Sequence, residues 1–354
     1  MDPSGADRLR RTVEEVLLGG GRVWTRRDIA ERTGVEPGRT VQIWRALGFP
    51  AADEEARVFT DADADALRAG ERLIGAGLIT EENETMMARA LGHHLSRLAE
   101  WQVDTLWAWM AHRGSESPVG EEELVRHVAT LLPEMELLQR HVWRRHLAAH
   151  AGRLLAGAGE GPGGPGAGKS GAGGAVAGGA AQPRAGAEIR DRAVGFTDMV
   201  GYTRMTRGLD GGELSRVIDL FENLTGDVVA EGGGQVVKTI GDEVLFVCDS
   251  ASEAAGIALE LTARAGAEPD LPRMRTGLAH GPVLSRFGDV YGAAVNIAAR
   301  LTAVARPGTV LVDTAFAGEL AGTEGYELKA LRPVSVRGYN RLRPVLLRPN
   351  RSAG

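Results

Sequence analysis

The chain has 354 residues, 43% of them hydrophobic and 25% charged, which is enough for roughly two domains that each bury a core. Its formal charge of -6 argues against a generally basic nucleic-acid-binding surface, and its single cysteine, Cys248, excludes an internal disulfide or a cysteine zinc site. The opening MDPSGADRLRR has no apolar segment behind its charges, and no run of about 18 apolar residues follows. A soluble, cytoplasmic protein without a membrane span is expected.

Residues 26–50, RRDIAERTGVEPGRTVQIWRALGFP, read as a helix, a turn containing Gly34 and a second helix. The stretch resembles the helix-turn-helix of mercury-resistance-type regulators, with Arg39 and Arg45 as the cations that would meet DNA. Val41, Ile43, Trp44 and Leu47 on the second helix, and the acidic DADADA that follows, point equally to a packing role. DNA is therefore the disfavoured partner.

Apolar residues at spacings of three and four make Met86 to His112 and Glu121 to Leu155 helical, with Pro133 interrupting the second run. Residues 1–155 form an all-α unit on this reading. Trp101, Trp107, Trp109 and the Met86-Met87 pair are expected in its core, with a pocket for a small-molecule or lipid regulator as the alternative. Seven of the eight histidines (His93, His94, His112, His127, His141, His146 and His150) lie in this half. His146 and His150 share a face beside Arg145 and Arg153, so a pH-sensing bundle and ordinary surface histidines are both open.

Between 156 and 187 Gly and Ala dominate and the core-building periodicity vanishes, as in a flexible linker. Within it GPGGPGAGKSG, residues 161–171, fits the phosphate-loop pattern GxxxxGK[ST] through Gly163, Gly168, Lys169 and Ser170. Such a loop needs a buried strand before it and a helix after it, and the flanks here supply neither. The match is read as chance in a low-complexity tract.

From 188 to 354 short β-rich runs (AVGF, QVVKTI, EVLFV, MRTGLA, TVLV) alternate with helical ones, the pattern of an α/β or α+β domain. AVGFTDMVGYT ends a strand in Asp198, before a turn with free N–H groups and hydroxyls. GGGQVVKTIGDEVLFV reads as a hairpin turning at Gly241-Asp242. If that hairpin lies beside the strand ending at Phe196, Asp198 and Asp242 meet at one edge as a two-carboxylate site. In FGDVYGAAVNIAARLTAVARPG, Asp289 precedes a helix that carries Asn296 and Arg300 four residues apart on one face, with Ile297, Leu301 and Val304 as its apolar side.

FTDMVGYT, VKTIGDEVLF and GDVYGAAVNIAARL resemble, in order and spacing, the catalytic domain of class III nucleotidyl cyclases, mostly adenylate cyclases, over Asp191 to Leu347. The resemblance implies an α+β fold: a ferredoxin-like βαββαβ core with additions, working as a head-to-tail homodimer with active sites between protomers. It implies that Asp198 and Asp242, with Met199, hold two divalent cations, Mg2+ or Mn2+. Lys238 and Asp289 become the base-selecting pair, Asn296 orients the ribose and Arg300 is the transition-state cation. Arg337 in SVRGYN is the candidate for the terminal phosphates, with Arg332, Arg341 and Arg343 nearby, and Phe196, Gly201 and Thr203 join the substrate-binding set. The substrate implied is ATP. The helical first half resembles the regulatory domain of actinobacterial cyclases, which implies autoinhibition.

Base choice follows from hydrogen-bond polarity. Adenine presents an acceptor at N1 and a donor amine at N6, matched by a Lys that only donates and an ionised Asp that only accepts. Guanine reverses both, so guanylate cyclase is the alternative. IGDEV is loosely similar to the signature of diguanylate cyclases, a family without the Lys, Asp, Asn and Arg set. A transcription regulator with a nucleotide-sensing domain is the other competing class. Because the 161–171 match lacks its supporting elements, Lys169→Ala is expected to leave ATP turnover nearly unchanged in a cyclic-nucleotide assay; collapse of turnover would place the nucleotide there.

Overall fold

A computed structural model describes residues 3–113, 120–159 and 188–350. The 161–171 stretch, with the rest of the Gly/Ala tract from 160 to 187, lies outside the described residues. The chain divides into two compact units, Met1–Ala180 and Ala181–Gly354.

The first unit is helical: α1 (Pro3–Leu18), α2 (Arg26–Thr33), α3 (Pro37–Ala46), α4 (Asp61–Gly75), α5 (Glu81–Arg113) and α6 (Glu121–Gly159). Capping boxes start α2 at Thr25 with Asp28 and α4 at Thr60 with Asp63, each satisfying two orphan donors. DADADA is thus the first turn of α4, where acids complement the helix dipole. Gly34, left-handed at φ 76, ends α2, and Pro37 opens α3, giving the expected helix-turn-helix. Ile43 and Ala46 of α3 pack on Ala88 of α5. Arg39 is not a DNA-facing cation: its guanidinium pairs with Glu71 of α4 and Glu84 of α5, with Glu81 at 3.7 Å.

Two expectations for this unit are corrected. Pro133 lies inside α6, because proline forfeits one N–H but keeps helical φ, and helical segments on either side carry the helix through it. Trp101 and Trp107 are 63% and 62% exposed, and Trp109 and Met87 are exposed as well, so these side chains are not core. Apolar residues stand all round the 33-residue α5, and among the described residues its neighbours cover only part of that circumference. A cavity of ≈ 270 Å3 lies between α3, α4 and α5, lined by Ile43, Leu47, Leu67, Leu73, Met87 and Leu91 among others. Among the described residues no helix is long and apolar enough to cross a membrane.

The second unit runs β1 (Glu188–Met199), α7 (Tyr202–Met205), α8 (Gly211–Glu231), β2 (Gln235–Ile240), β3 (Glu243–Cys248), α9 (Ala251–Ala267) and β4 (Met274–Arg286). There follow β5 (Asp289–Tyr291), α10 (Ala293–Val304), β6 (Val310–Val312), α11 (Thr314–Glu319), β7 (Tyr326–Ala330), β8 (Val334–Val336), β9 (Tyr339–Leu342) and β10 (Val345–Pro349). The β1-α8-β2-β3-α9-β4 segment is the expected βαββαβ core: its strands order as β2-β3-β1-β4, all antiparallel. β6 continues the sheet parallel to β4, then β10 and β7 antiparallel, making the sheet mixed. β8 and β9 form a separate hairpin.

Alternation along the strands builds two cores. Phe246 and Leu278 meet Phe221 of α8 and Ile257 and Leu261 of α9 on one face. Val194, Phe196, Leu245 and Ala279 meet Ala294 and Ala298 of α10 on the other. Gly277 of β4 lets α10 sit down, since a Cβ there would lie 2.4 Å from the Ala298 carbonyl oxygen. Thr302 locks the contact by donating to the Phe196 carbonyl at 3.1 Å. Of the residues read as the apolar side of α10, Leu301 is buried and Ile297 partly so, but Val304 is 37% exposed at the last turn.

Candidate active site

The period of two that sends Val194 and Phe196 toward α10 sends Asp198 the same way. Asp198 has Glu243 of β3 on one side and Arg275 of β4 on the other in the strand register. The row Glu243-Asp198-Arg275 therefore crosses three strands on the face that α10 covers. Asp242 occupies the β2–β3 turn, where Gly241 at φ 64 supplies the left-handed residue such a turn demands. Its carbonyl accepts the Met199 N–H at 3.1 Å, pinning the turn to the end of β1.

The expected meeting of Asp198 and Asp242 is present, and it is electrostatically expensive. Burial pushes the Asp198 carboxyl above its ordinary range, the Asp242 charge adds to this, and Arg275 opposes it. Glu243 is raised to about 7, first by burial and then by the charges of Asp198 and Asp242. Arg275 answers with Nε 2.7 Å and Nη2 2.5 Å from Asp198 Oδ2. Sequence reasoning missed both Arg275 and the role of Glu243. The available signal was the register, which sets MRTGLA and GDEV flush against the strand ending in Asp198.

This donor set suits a divalent cation. The carboxylates are hard oxygen ligands in a cluster that carries excess negative charge. The Met199 side chain is buried in the core, so only its main chain remains to join them. Among the described residues no three His, Cys, Asp or Glu side chains form a ready-made metal cage, so other ligands would come from substrate phosphate or water.

Lys238 and Asp289 form a second group, with Nζ 2.5 Å from Oδ2, while Asp289 Oδ1 accepts the Val290 N–H at 2.8 Å. Their strands are separated by β3, β1 and β4 in the hydrogen-bonding order, so the β4–β5 arm folds over the sheet to reach β2. A register shift between Val236 and Lys238 makes Val237 an extra residue. That bulge aims Lys238 toward the α10 face, where Val237 also packs.

Asn296 and Arg300 form the third group, one turn apart on α10. Asn296 is exposed, whereas the Nε of Arg300 is buried and has no hydrogen-bond acceptor among the described residues. The remaining candidates are spread around these groups. Phe196 has its ring in the core and its carbonyl bonded to Thr302. Gly201, at φ 84, starts the short α7, which carries the exposed Thr203. Arg337 is exposed in the two-residue turn of the β8–β9 hairpin, whose Val334, Val336 and Tyr339 pack in one cluster with Ile297 and Leu301 of α10. Among the described residues no hydrogen bond or ion pair joins the three groups to one another.

Comparison with known proteins shows the family. Residues 187–348 match the family described as the adenylate and guanylate cyclase catalytic domain, and residues 4–147 the adenylate cyclase regulatory domain. An adenylate cyclase of Streptomyces coelicolor is 39% identical over 324 residues, 91% of this chain and 78% of that one. One from Glutamicibacter nicotianae is 33% identical over 97% of this chain and 83% of its own. A Mycobacterium tuberculosis protein described as a pH-sensitive adenylate cyclase is 29% identical over 94% of this chain and 81% of its own. The chain belongs to the class III adenylate cyclases, with a regulatory domain of the kind found in their actinobacterial members.

The raised Glu243 carboxyl has a measurable consequence. Its folded value near 7 exceeds its unfolded 4.5, so between those pH values the folded state binds more protons and stability falls as pH rises. Glu243→Gln removes that loss. In metal-free buffer the variant is expected to gain about 1–2 kcal/mol over the parent above pH 7, allowing for solvent screening, and to match it near pH 4. Urea unfolding at the two pH values checks this, and equal stability at both would contradict it.

Proposed function

We propose that the protein converts ATP to 3',5'-cyclic AMP and pyrophosphate at a homodimer interface, with two divalent cations, Mg2+ or Mn2+, held by Asp198 and Asp242 beside the Met199 main chain. The observation that carries the choice of ATP is the Lys238–Asp289 pair, which sets a donor-only and an acceptor-only group side by side. Adenine's N1 and N6 edge asks for that polarity, and a guanine edge would face each group with its like.

The bound cations would supply Lewis acidity, lowering the pKa of the ribose 3'-hydroxyl and neutralising charge on the triphosphate. The rest falls to the chain. Asn296 orients the ribose so that the 3'-oxygen lies in line with the α-phosphorus. Arg300, whose Nε is buried and waiting for an acceptor, holds the equatorial oxygens as charge builds there. Arg337 on its hairpin and the Gly201-Thr203 turn take the outer phosphates. That no bond joins the three groups among the described residues supports a site completed by a second copy.

The N-terminal unit is the regulator in this reading, and it restrains turnover. Its apolar cavity between α3, α4 and α5 is the place for a small-molecule or lipid effector. A pH response is favoured by one contact: His150 Nδ1 lies 2.8 Å from Arg153 Nη2, a pairing that protonation of the imidazole would turn into repulsion. The relative described as pH-sensitive supports the same reading.

Asp198→Ala and Asp242→Ala are expected to abolish cAMP formation from ATP in Mn2+ while circular dichroism stays unchanged. Arg300→Ala is expected to lower kcat by about a hundredfold to a thousandfold. Near-normal turnover in either Asp variant would refute the proposed chemistry. In the same assay the full chain and residues 188–354 should show different pH profiles, and superimposable profiles would remove the pH-sensing role.

A further inference from the structure

The contacts of Arg275 reach further than the metal-site acid. Nε and Nη2 both end on Oδ2 of Asp198, and Oδ1 takes no part in those bonds. Nη1 donates to the Ala303 carbonyl oxygen at 3.2 Å, in the last turn of α10. The carbonyl end of a helix carries partial negative charge, so one planar fork serves two anionic partners at fixed angles. One of them is the acid assigned to the cations, and the other is the end of the helix bearing Asn296 and Arg300. Among the described residues Arg275 is the cation that forms an ion pair within the cluster of Asp198, Asp242 and Glu243.

We infer that Arg275 is a positioning residue of the cyclase reaction, acting through Asp198 and α10. Its charge limits how strongly the crowded acids draw a divalent cation, and its fork fixes α10 against the acids so that Asn296 and Arg300 meet the reacting phosphate. This rests on the reading of Asp198 and Asp242 as the cation-holding acids. The two roles separate chemically. A lysine keeps the charge but cannot hold carboxylate and helix carbonyl in one rigid plane, whereas a methionine keeps neither.

The test is binding of Mn2+ to the nucleotide-free full chain, read from the paramagnetic resonance of the free ion, together with steady-state cAMP kinetics, for the parent, Arg275→Met and Arg275→Lys. Circular dichroism reports folding. Arg275→Met should bind Mn2+ about fivefold more tightly, the effect of deleting one partly screened neighbouring charge, and should lose kcat. Arg275→Lys should return Mn2+ affinity to the parent value while kcat stays depressed and KM for ATP is unchanged. Unchanged or weaker Mn2+ binding in Arg275→Met overturns the charge role, and parental kcat in Arg275→Lys overturns the fork. If Arg275→Met does not fold, parental Mn2+ affinity combined with low kcat in Arg275→Lys still supports the inference, and any other pairing defeats it. A parent that binds no Mn2+ without nucleotide defeats the inference, whereas the assignment of the acids falls only if Asp198→Ala or Asp242→Ala keeps near-normal turnover, which tells the two failures apart.

Discussion

One carboxylate, Asp198, sits at the end of the central strand with an acid on one flank and a base on the other, and the rest of the catalytic unit is arranged around it. A buried carboxylate beside two more would relieve itself by taking up protons or by moving apart. Here the ladder forbids the second route, because Asp198, Glu243 and Arg275 are held by the register of three antiparallel strands. The site is left with a demand for positive charge, met among the described residues by Arg275. A surface designed only for stability would replace such a cluster with apolar residues.

The same geometry explains why α10 has to come so close. Gly277 removes the side chain that would hold the helix off the sheet, Thr302 bonds it to the β1 carbonyl, and Arg275 ties its last turn to Asp198. The β8–β9 hairpin then covers the outer side of the helix and carries Arg337 at its tip. On the opposite side, the β4–β5 arm crosses the sheet to set Asp289 against Lys238. Three polar groups are thus fixed by three different devices, a ladder row, a helix and a folded-over arm, on one covered face of one sheet. A rigid scaffold of that kind suits a reaction in which position and charge do most of the work.

Much of this was legible in the sequence, for physical reasons that can be named. Asp198, Asp242, Asp289, Asn296 and Arg300 lie next to strong local signals, namely a strand end, a Gly-Asp turn, a helix start and a four-residue helical spacing, whereas Lys238, inside β2, was singled out only by the resemblance. The alternating β and helical runs predict an α/β or α+β domain, and the βαββαβ order of its core came with the resemblance to the nucleotidyl cyclases. Arg275 and Glu243 were not legible because their importance lies in cross-strand register, which pairs residues some 80 and 45 positions from Asp198 in the chain only once the sheet forms. The strands β7 to β10 were not read from the sequence: they follow one another without helices between them, and charged residues such as Glu327, Lys329, Arg341 and Arg348 break their apolar runs. In the helical unit the reading of Trp101 and Trp107 as core failed because helical periodicity shows which residues share a face, not whether anything covers it. For Arg39 the sequence left contact with DNA and a packing role both open, and tertiary structure decides for packing by pairing it with Glu71 and Glu84.

The central claim is the proposed selection of the base by Lys238 and Asp289. Incubating the purified full chain with equimolar ATP and GTP in Mn2+, and quantifying both cyclic products by mass, measures that choice in one vessel. Cyclic AMP in large excess is the predicted result; cyclic GMP in equal or greater amount, or no cyclic nucleotide at any pH, would contradict it.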